Sequence, residues 1–154
     1  MIVVFLGFSH LSVVYGVACA LKNHVVYIVD SDFKLIEKAK NYVFPFFEKE
    51  LIPTARALEG NLHFVTNLND TPQVDIVFVA KDIPVLKDGE WDYAQTARIL
   101  LDYEEIIDGE ATTVVLSQSK PGFIRSLSLG RNLYYQVETL IFGEAIENAI
   151  NPER

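Results

Sequence analysis

Met1–Asp30 reads MIVVFLGFSHLSVVYGVACALKNHVVYIVD. An apolar run, Ile2–Leu6, gives way to Gly7-Phe8-Ser9-His10-Leu11-Ser12, then to a helical pattern, then to a second apolar run, Val25–Val29, closed by Asp30. Strand, tight turn, helix, strand and acid in this order outline a βαβ unit of the kind that binds dinucleotides. In such a unit the turn delivers a helix N-terminus to a pyrophosphate, and the acid ending the second strand takes ribose hydroxyls. The fingerprint of the turn places glycine at three positions for three separate reasons. Gly7 meets the first need, a turn where a side chain is sterically costly. Ser9 stands where the backbone would approach phosphate, and Ser12 where helix would pack closely on strand. With Asp30 kept and two glycines replaced, ribose recognition is expected to survive better than phosphate recognition.

The 154 residues are the size of one domain, enough to bury roughly 70% of the surface an unfolded chain exposes. Half the residues are apolar and the mean hydropathy is +0.20, which excludes a disordered chain. A net charge of −8 with no stripe of Lys and Arg argues against nucleic acid or an anionic membrane as partner. Lys34, Lys38 and Lys40 gather around Glu37 and read as a solvated helix face. The lone Cys19 excludes an internal disulfide and a cysteine-based zinc site, and its place in the apolar pattern Val13–Leu21 reads as packing. His10, His24 and His63 share no ligand spacing, so no metal is expected; His10 alone, in the turn, is placed to touch a ligand. No basic region precedes the first apolar run and none of the apolar runs reaches bilayer length, so a cytoplasmic location is expected.

Strands and helices alternate along the chain. Strands are predicted at about 2–7, 24–30, 62–66, 74–80, 112–117 and 133–138 from β-branched and aromatic runs bounded by polar residues or glycine. Helices are predicted at about 11–22, 32–42, 46–58, 92–107 and 121–129, with Gly130 placed to stop the last. Runs such as Val74–Ala80 lack alternation, as strands covered on both faces do. The fold class is therefore α/β, a Rossmann-type doubly wound, mainly parallel six-stranded sheet with helices on both faces, in a single domain over 1–154. Tyr134 and Tyr135, adjacent in the last strand, are expected to send one ring to the core and one to a helix or solvent.

Four later segments extend the pattern. Asn41–Leu51 (NYVFPFFEKEL) is similar to GxSPIYEPGL, keeping Pro45, Glu48 and Leu51, and Ala80–Asp92 (AKDIPVLKDGEWD) to AVPTPLxxDGxxD, keeping Ala80, Pro84, Asp88, Gly89 and Asp92. Ser117–Ile124 (SQSKPGFI) is similar to STxPxGFI, and Glu138–Arg154 (ETLIFGEAIENAINPER) to EFLREGxAIxDxxxPxR, with Glu138, Leu140, Gly143, Ala145, Ile146, Pro152 and Arg154 in register. In this order and spacing the chain resembles the N-terminal NAD-binding domain of the UDP-glucose/GDP-mannose dehydrogenases, over essentially its whole length. The resemblance implies NAD-dependent, two-step oxidation of a nucleotide-sugar C6 hydroxyl to a carboxylate by an enzyme of two α/β domains. It also implies that the nucleophilic cysteine, and the lysine, asparagine and aspartate acting with it, lie beyond the segment present here. Oxidation through a thiohemiacetal and thioester needs a thiolate, and Cys19 is not placed to supply it.

The departures from the family pattern fall on its ligand positions. Ile83 stands at the threonine of VPTP and Gln118 at the threonine of STxP, so a hydroxyl is lost at each. Lys81 and Asp82 replace small or rigid residues in the same loop, and Phe142 replaces the second glutamate of EFLREG. Leu35 holds the place of a family lysine five residues after the ribose acid, with Lys34 one residue out of register. Carried over residue by residue, the resemblance implies Glu138 as catalytic residue and Gly7, Ser9, His10, Leu11, Asp30, Lys34, Ala80, Ile83 and Gln118 around NAD, whose binding is expected to be weak or lost. Partners implied are a nucleotide or nucleotide-sugar ligand and either a homo-oligomer or a separate catalytic chain. Two readings from other classes stay open: a non-catalytic binding or regulatory module keeping the fold, and an interaction protein using Phe44, Phe46, Phe47 and Trp91.

Overall fold

The computed structural model describes residues 1–103, 110–127, 132–138 and 140–152. Six strands, β1 (Ile2–Leu6), β2 (Val25–Val29), β3 (Leu62–Val65), β4 (Ile76–Val79), β5 (Thr112–Val115) and β6 (Leu133–Tyr135), form one sheet in the order β3-β2-β1-β4-β5-β6. Every pairing is parallel. The chain leaves β1 toward β2 and β3 on one side and returns to β4 on the other, so the order reverses between β1 and β4, where a crevice opens beyond the strands' carboxyl ends.

Strand β1 shows how the layers form. Its side chains alternate, so Val3 and Phe5 enter one buried cluster and Val4 and Leu6 the other. The first cluster lies under helices α1 (His10–Leu21), α3 (Leu51–Ala57) and α6 (Ala145–Ile150), and Phe5 stacks on Phe78 of β4 at 4.9 Å. The second takes in Leu100 of α4 (Ala94–Asp102) and Ile124 of α5 (Phe123–Ser126). Close packing of α1 on the sheet is achieved at Gly16, where an added Cβ would lie 3.2 Å from Ile28 Cδ1, one turn beyond Ser12.

All six strands fall within the predicted ranges. The helix expected at 46–58 begins only at Leu51: Pro45 lacks an amide donor, Glu50 has φ +58°, and Phe44–Glu50 is an irregular loop. In that loop Phe44 and Phe46 pack with Phe8, at 6.1 and 6.0 Å, whereas Phe47 is 86% exposed. Helix α2 (Phe33–Lys40) agrees with its prediction, while α4 is described to Asp102 and α5 to Ser126; residues 104–109 and Gly130 lie outside the described residues. Tyr134 and Tyr135 are 56% and 42% exposed, so neither ring reaches the core from this edge strand. Helix α6 and a 3-10 turn at Leu68–Asp70 join the predicted elements. Among the described residues no helix is long and apolar enough to cross a membrane.

Candidate cofactor-binding site

The turn after β1 is built around one glycine. Gly7 has φ +95°, and its N–H donates to the Val29 carbonyl at 2.8 Å, tying the turn to the end of β2. An added Cβ would lie 2.7 Å from Lys81 Cβ and 2.8 Å from its Cα. Backbone conformation and lack of space therefore both demand glycine here.

Ser9 and Ser12, which replace the other two glycines, form a reciprocal capping box on α1. Ser9 N donates to Ser12 Oγ at 2.8 Å and Ser12 N to Ser9 Oγ at 3.1 Å, and Ser9 Oγ also donates to the Ala80 carbonyl at the end of β4. Both side chains are buried. A helix start leaves its first amides without intrahelical acceptors. Here Ser9 satisfies one, and the N–H groups of His10 and Leu11 have no protein acceptor among the described residues. Both residues line a cavity of about 390 Å³ shared with Ile83, Gln118, Glu138 and Phe142.

Asp30, directly after β2, is buried and held by three donors. Its Oδ2 accepts the Phe8 N–H at 2.8 Å and the Lys81 ammonium at 2.6 Å, and its Oδ1 accepts the Asp32 N–H at 3.0 Å. Burial alone pushes its pKa up, but the Lys81 hydrogen bond and the two backbone donors outweigh it and hold the carboxyl below its ordinary value. Lys81 follows Ala80 at the carboxyl end of β4, and Ser117 Oγ fixes the Lys81 carbonyl at 2.7 Å. Beside this pair lies a second cavity of about 210 Å³, with Gly7, Asp30, Lys81, Arg98 and Tyr103 in its wall.

His10 opens α1 with its ring held from three sides. Nε2 lies 3.1 Å from Glu48 Oε2, the Phe46 ring meets it edge-on at 5.2 Å, and Phe142 stacks at 4.5 Å. Glu48 is sealed, and it also accepts the N–H groups of Gly143 at 3.1 Å and Ala145 at 3.2 Å, which caps α6. Burial raises the Glu48 pKa, and these donors together with His10 more than reverse it. The phenylalanine at 142 thus supplies the face that packs His10.

The remaining candidates divide between the cleft and its surroundings. Glu138, three residues past β6, accepts the N–H of Leu140 and faces the larger cavity with exposed Gln118 and buried Ile83. Ala80 is buried, donating its N–H to the Leu6 carbonyl at 2.9 Å. Lys34 is exposed on α2 and lines neither cavity. Cys19, on α1, is half-buried against the core, and burial pushes its thiol up to about 11. Arg98 and Tyr103, from a helix after the hairpin loop 84–92, were not among the sequence candidates. The pairing of Lys81 was also missed; the sequence shows only a lysine two residues past the end of β4.

A six-stranded parallel sheet with this order, a glycine turn leading into a helix N-terminus, and an acid ending the second strand define a Rossmann-type dinucleotide-binding domain. The chain belongs to the UDP-glucose/GDP-mannose dehydrogenase family: the model of that family's NAD binding domain matches residues 1–154. Among solved structures it is similar to UDP-D-ManNAc dehydrogenase from Pyrococcus horikoshii (TM-score 0.87, 17% identity, 96% of this chain and 38% of that one). It is similar also to GDP-mannose dehydrogenase from Pseudomonas aeruginosa (0.87, 19%, 99% and 39%). A UDP-glucose dehydrogenase from Pyrobaculum islandicum gives 0.84, 24%, 98% and 39%. At these identities the likeness is one of fold, and the chain spans under two fifths of each structure's length. No curated protein matches the chain in sequence.

Proposed function

We propose that the chain is the cofactor-binding part of an NAD-dependent nucleotide-sugar 6-dehydrogenase, that it binds NAD weakly as it stands, and that residues outside this segment complete the oxidation. The observation that carries the reading is the start of α1: two amides without acceptors among the described residues, beside a glycine turn at the reversal point of the sheet. Such a helix end suits a pyrophosphate. Asp30 stands where ribose hydroxyls would be received, but Lys81 already takes part of its acceptor capacity, and this supports weak binding.

NAD, when bound, supplies the hydride acceptor. The His10 and Leu11 amides would hold its pyrophosphate, and Asp30 would orient a ribose. In the larger cavity Glu138 and Asp82 are the acids in the wall, with Gln118 lining the same space as an amide donor. Cys19, half-buried against the core on α1, keeps its proton, so the thiolate chemistry of acid formation belongs to the remainder of a longer chain or to a separate one. A cytoplasmic location and a nucleotide-sugar substrate complete the proposal.

Thermal unfolding with and without NAD tests it. With a Kd of about 1 mM, about 10 mM NAD adds roughly 1.4 kcal/mol, or about 3–6 °C in Tm for a chain of this size. No shift with NAD or NADH at that concentration would overturn it.

A further inference from the structure

The two cavities share one wall, and Lys81 is in it. From the end of β4 its stem runs across the turn, with Cδ 2.9 Å from where a Cβ on Gly7 would lie, and its ammonium ends on Asp30 at 2.6 Å. On one side are Asp30, Arg98 and Tyr103; on the other are His10, Leu11 and Glu138. A dinucleotide reaching from the acid of β2 to Glu138 must cross the strip that this side chain covers.

We propose that Lys81 is the residue that sets dinucleotide affinity: it is an internal occupant of the cleft and must release Asp30 before a dinucleotide can span the two cavities. This deepens the NAD-binding reading above and rests on it. The pair is asymmetric. The Asp30 side chain is 4% exposed and is anchored by the Phe8 and Asp32 amides whether or not Lys81 is present. The Lys81 side chain is 34% exposed and ends in a flexible four-carbon stem, so its ammonium has a route into water. Release of Lys81 therefore leaves a fixed carboxylate with an acceptor site open, already oriented for a hydroxyl pair. Apparent affinity falls by the fraction of molecules in which the pair is open, and a short charge-assisted bond keeps that fraction small.

The opposite role is also chemically definite: a lysine that leaves Asp30 for the pyrophosphate would strengthen binding. Titration calorimetry with NAD and with ADP-ribose, which shares the Asp30 end but lacks nicotinamide, separates the two. Wild type, Lys81→Ala and Lys81→Met are compared, with circular dichroism confirming the fold. Lys81→Ala is expected to bind both probes roughly ten- to a hundredfold more tightly. Lys81→Met, which keeps the stem over Gly7 but loses the ammonium, is expected to gain less, yet measurably. If the alanine variant does not fold, tighter binding by the methionine variant carries the proposal and its absence overturns it. Unchanged affinity overturns it while leaving the NAD-binding reading intact, and weaker binding assigns Lys81 to the phosphate instead. Failure of every form to bind at millimolar probe overturns both.

Discussion

Asp30 and Glu48 are two solutions of the same chemical problem. Each is a buried carboxylate that accepts two backbone N–H groups and one side-chain nitrogen: Phe8, Asp32 and Lys81 in one case, Gly143, Ala145 and His10 in the other. Both are held below their ordinary pKa against the pull of burial. They differ in what the third partner can do. His10 is boxed by Phe46 and Phe142 over a side chain with 0% exposure, so the Glu48 cluster is sealed into the frame. Lys81 reaches solvent, so the Asp30 cluster can exchange one partner without losing the other two. A buried acid becomes a ligand-binding group when one of its donors is free to leave.

The largest effect that would break this comparison is on stability. Glu48→Ala removes a fully buried carboxylate that serves two amides and a histidine, and is expected to cost about 3 kcal/mol, or roughly 6–12 °C in Tm; Asp30→Ala, whose lysine regains water, is expected to cost about half that. Equal losses in urea unfolding would make both clusters structural. Acid titration sharpens the point. Because both folded pKa values are depressed, each acid's contribution is full above its unfolded pKa, about 3.9 for Asp and 4.3 for Glu, and is lost as pH falls through the lower folded value. Stability should therefore drop below about pH 4, and Glu48→Gln should flatten that limb; parallel limbs for variant and wild type would remove Glu48 from the account. The smallest effect lies between the two clusters, at the capping box: Ser9→Ala is expected to cost about 1 kcal/mol in the same urea assay, and no loss would return Ser9 to a merely tolerated substitution.

The strands and the parallel, doubly wound character of the sheet were legible because the evidence for them is local and repeated. Ile2–Leu6, Val25–Val29 and Ile76–Val79 are apolar throughout, as strands covered on both faces must be, and alternation with helices forces a parallel doubly wound sheet. Helix α6 was not read out, although Ala145, Ile146, Ala149 and Ile150 carry helical spacing, because six residues give too short a periodic window. Residues 46–50, the second part of this loop, were read as helix because their aromatic content hides what the loop does, which is to carry Glu48 to a helix almost a hundred residues away. In the site, the turn at Gly7 and the acid closing β2 at Asp30 were legible as positions because backbone shape and strand spacing encode them. Ser9 and Ser12 were read as losses because the fingerprint counts glycines, whereas the pattern of a serine with a second serine three residues on is also a cap. Lys81 was seen only as an odd residue in its loop. Its meaning lies in a long, flexible side chain meeting an acid 51 positions earlier, and no short-range pattern encodes that.

The tie from Glu48 to Gly143 and Ala145 also bears on the order in which the molecule can be made. Its two backbone bonds join positions 95 and 97 residues apart, so during synthesis the acid and its loop emerge long before the amides that neutralise their burial. At some 5–20 residues per second, that interval is roughly 5–20 s. Until then, of the three partners of Glu48 among the described residues, His10 alone has been made, and the loop carrying the acid lacks its two amide donors. The contact is thus a clip that ties residues 143–145 back onto the first 50 residues.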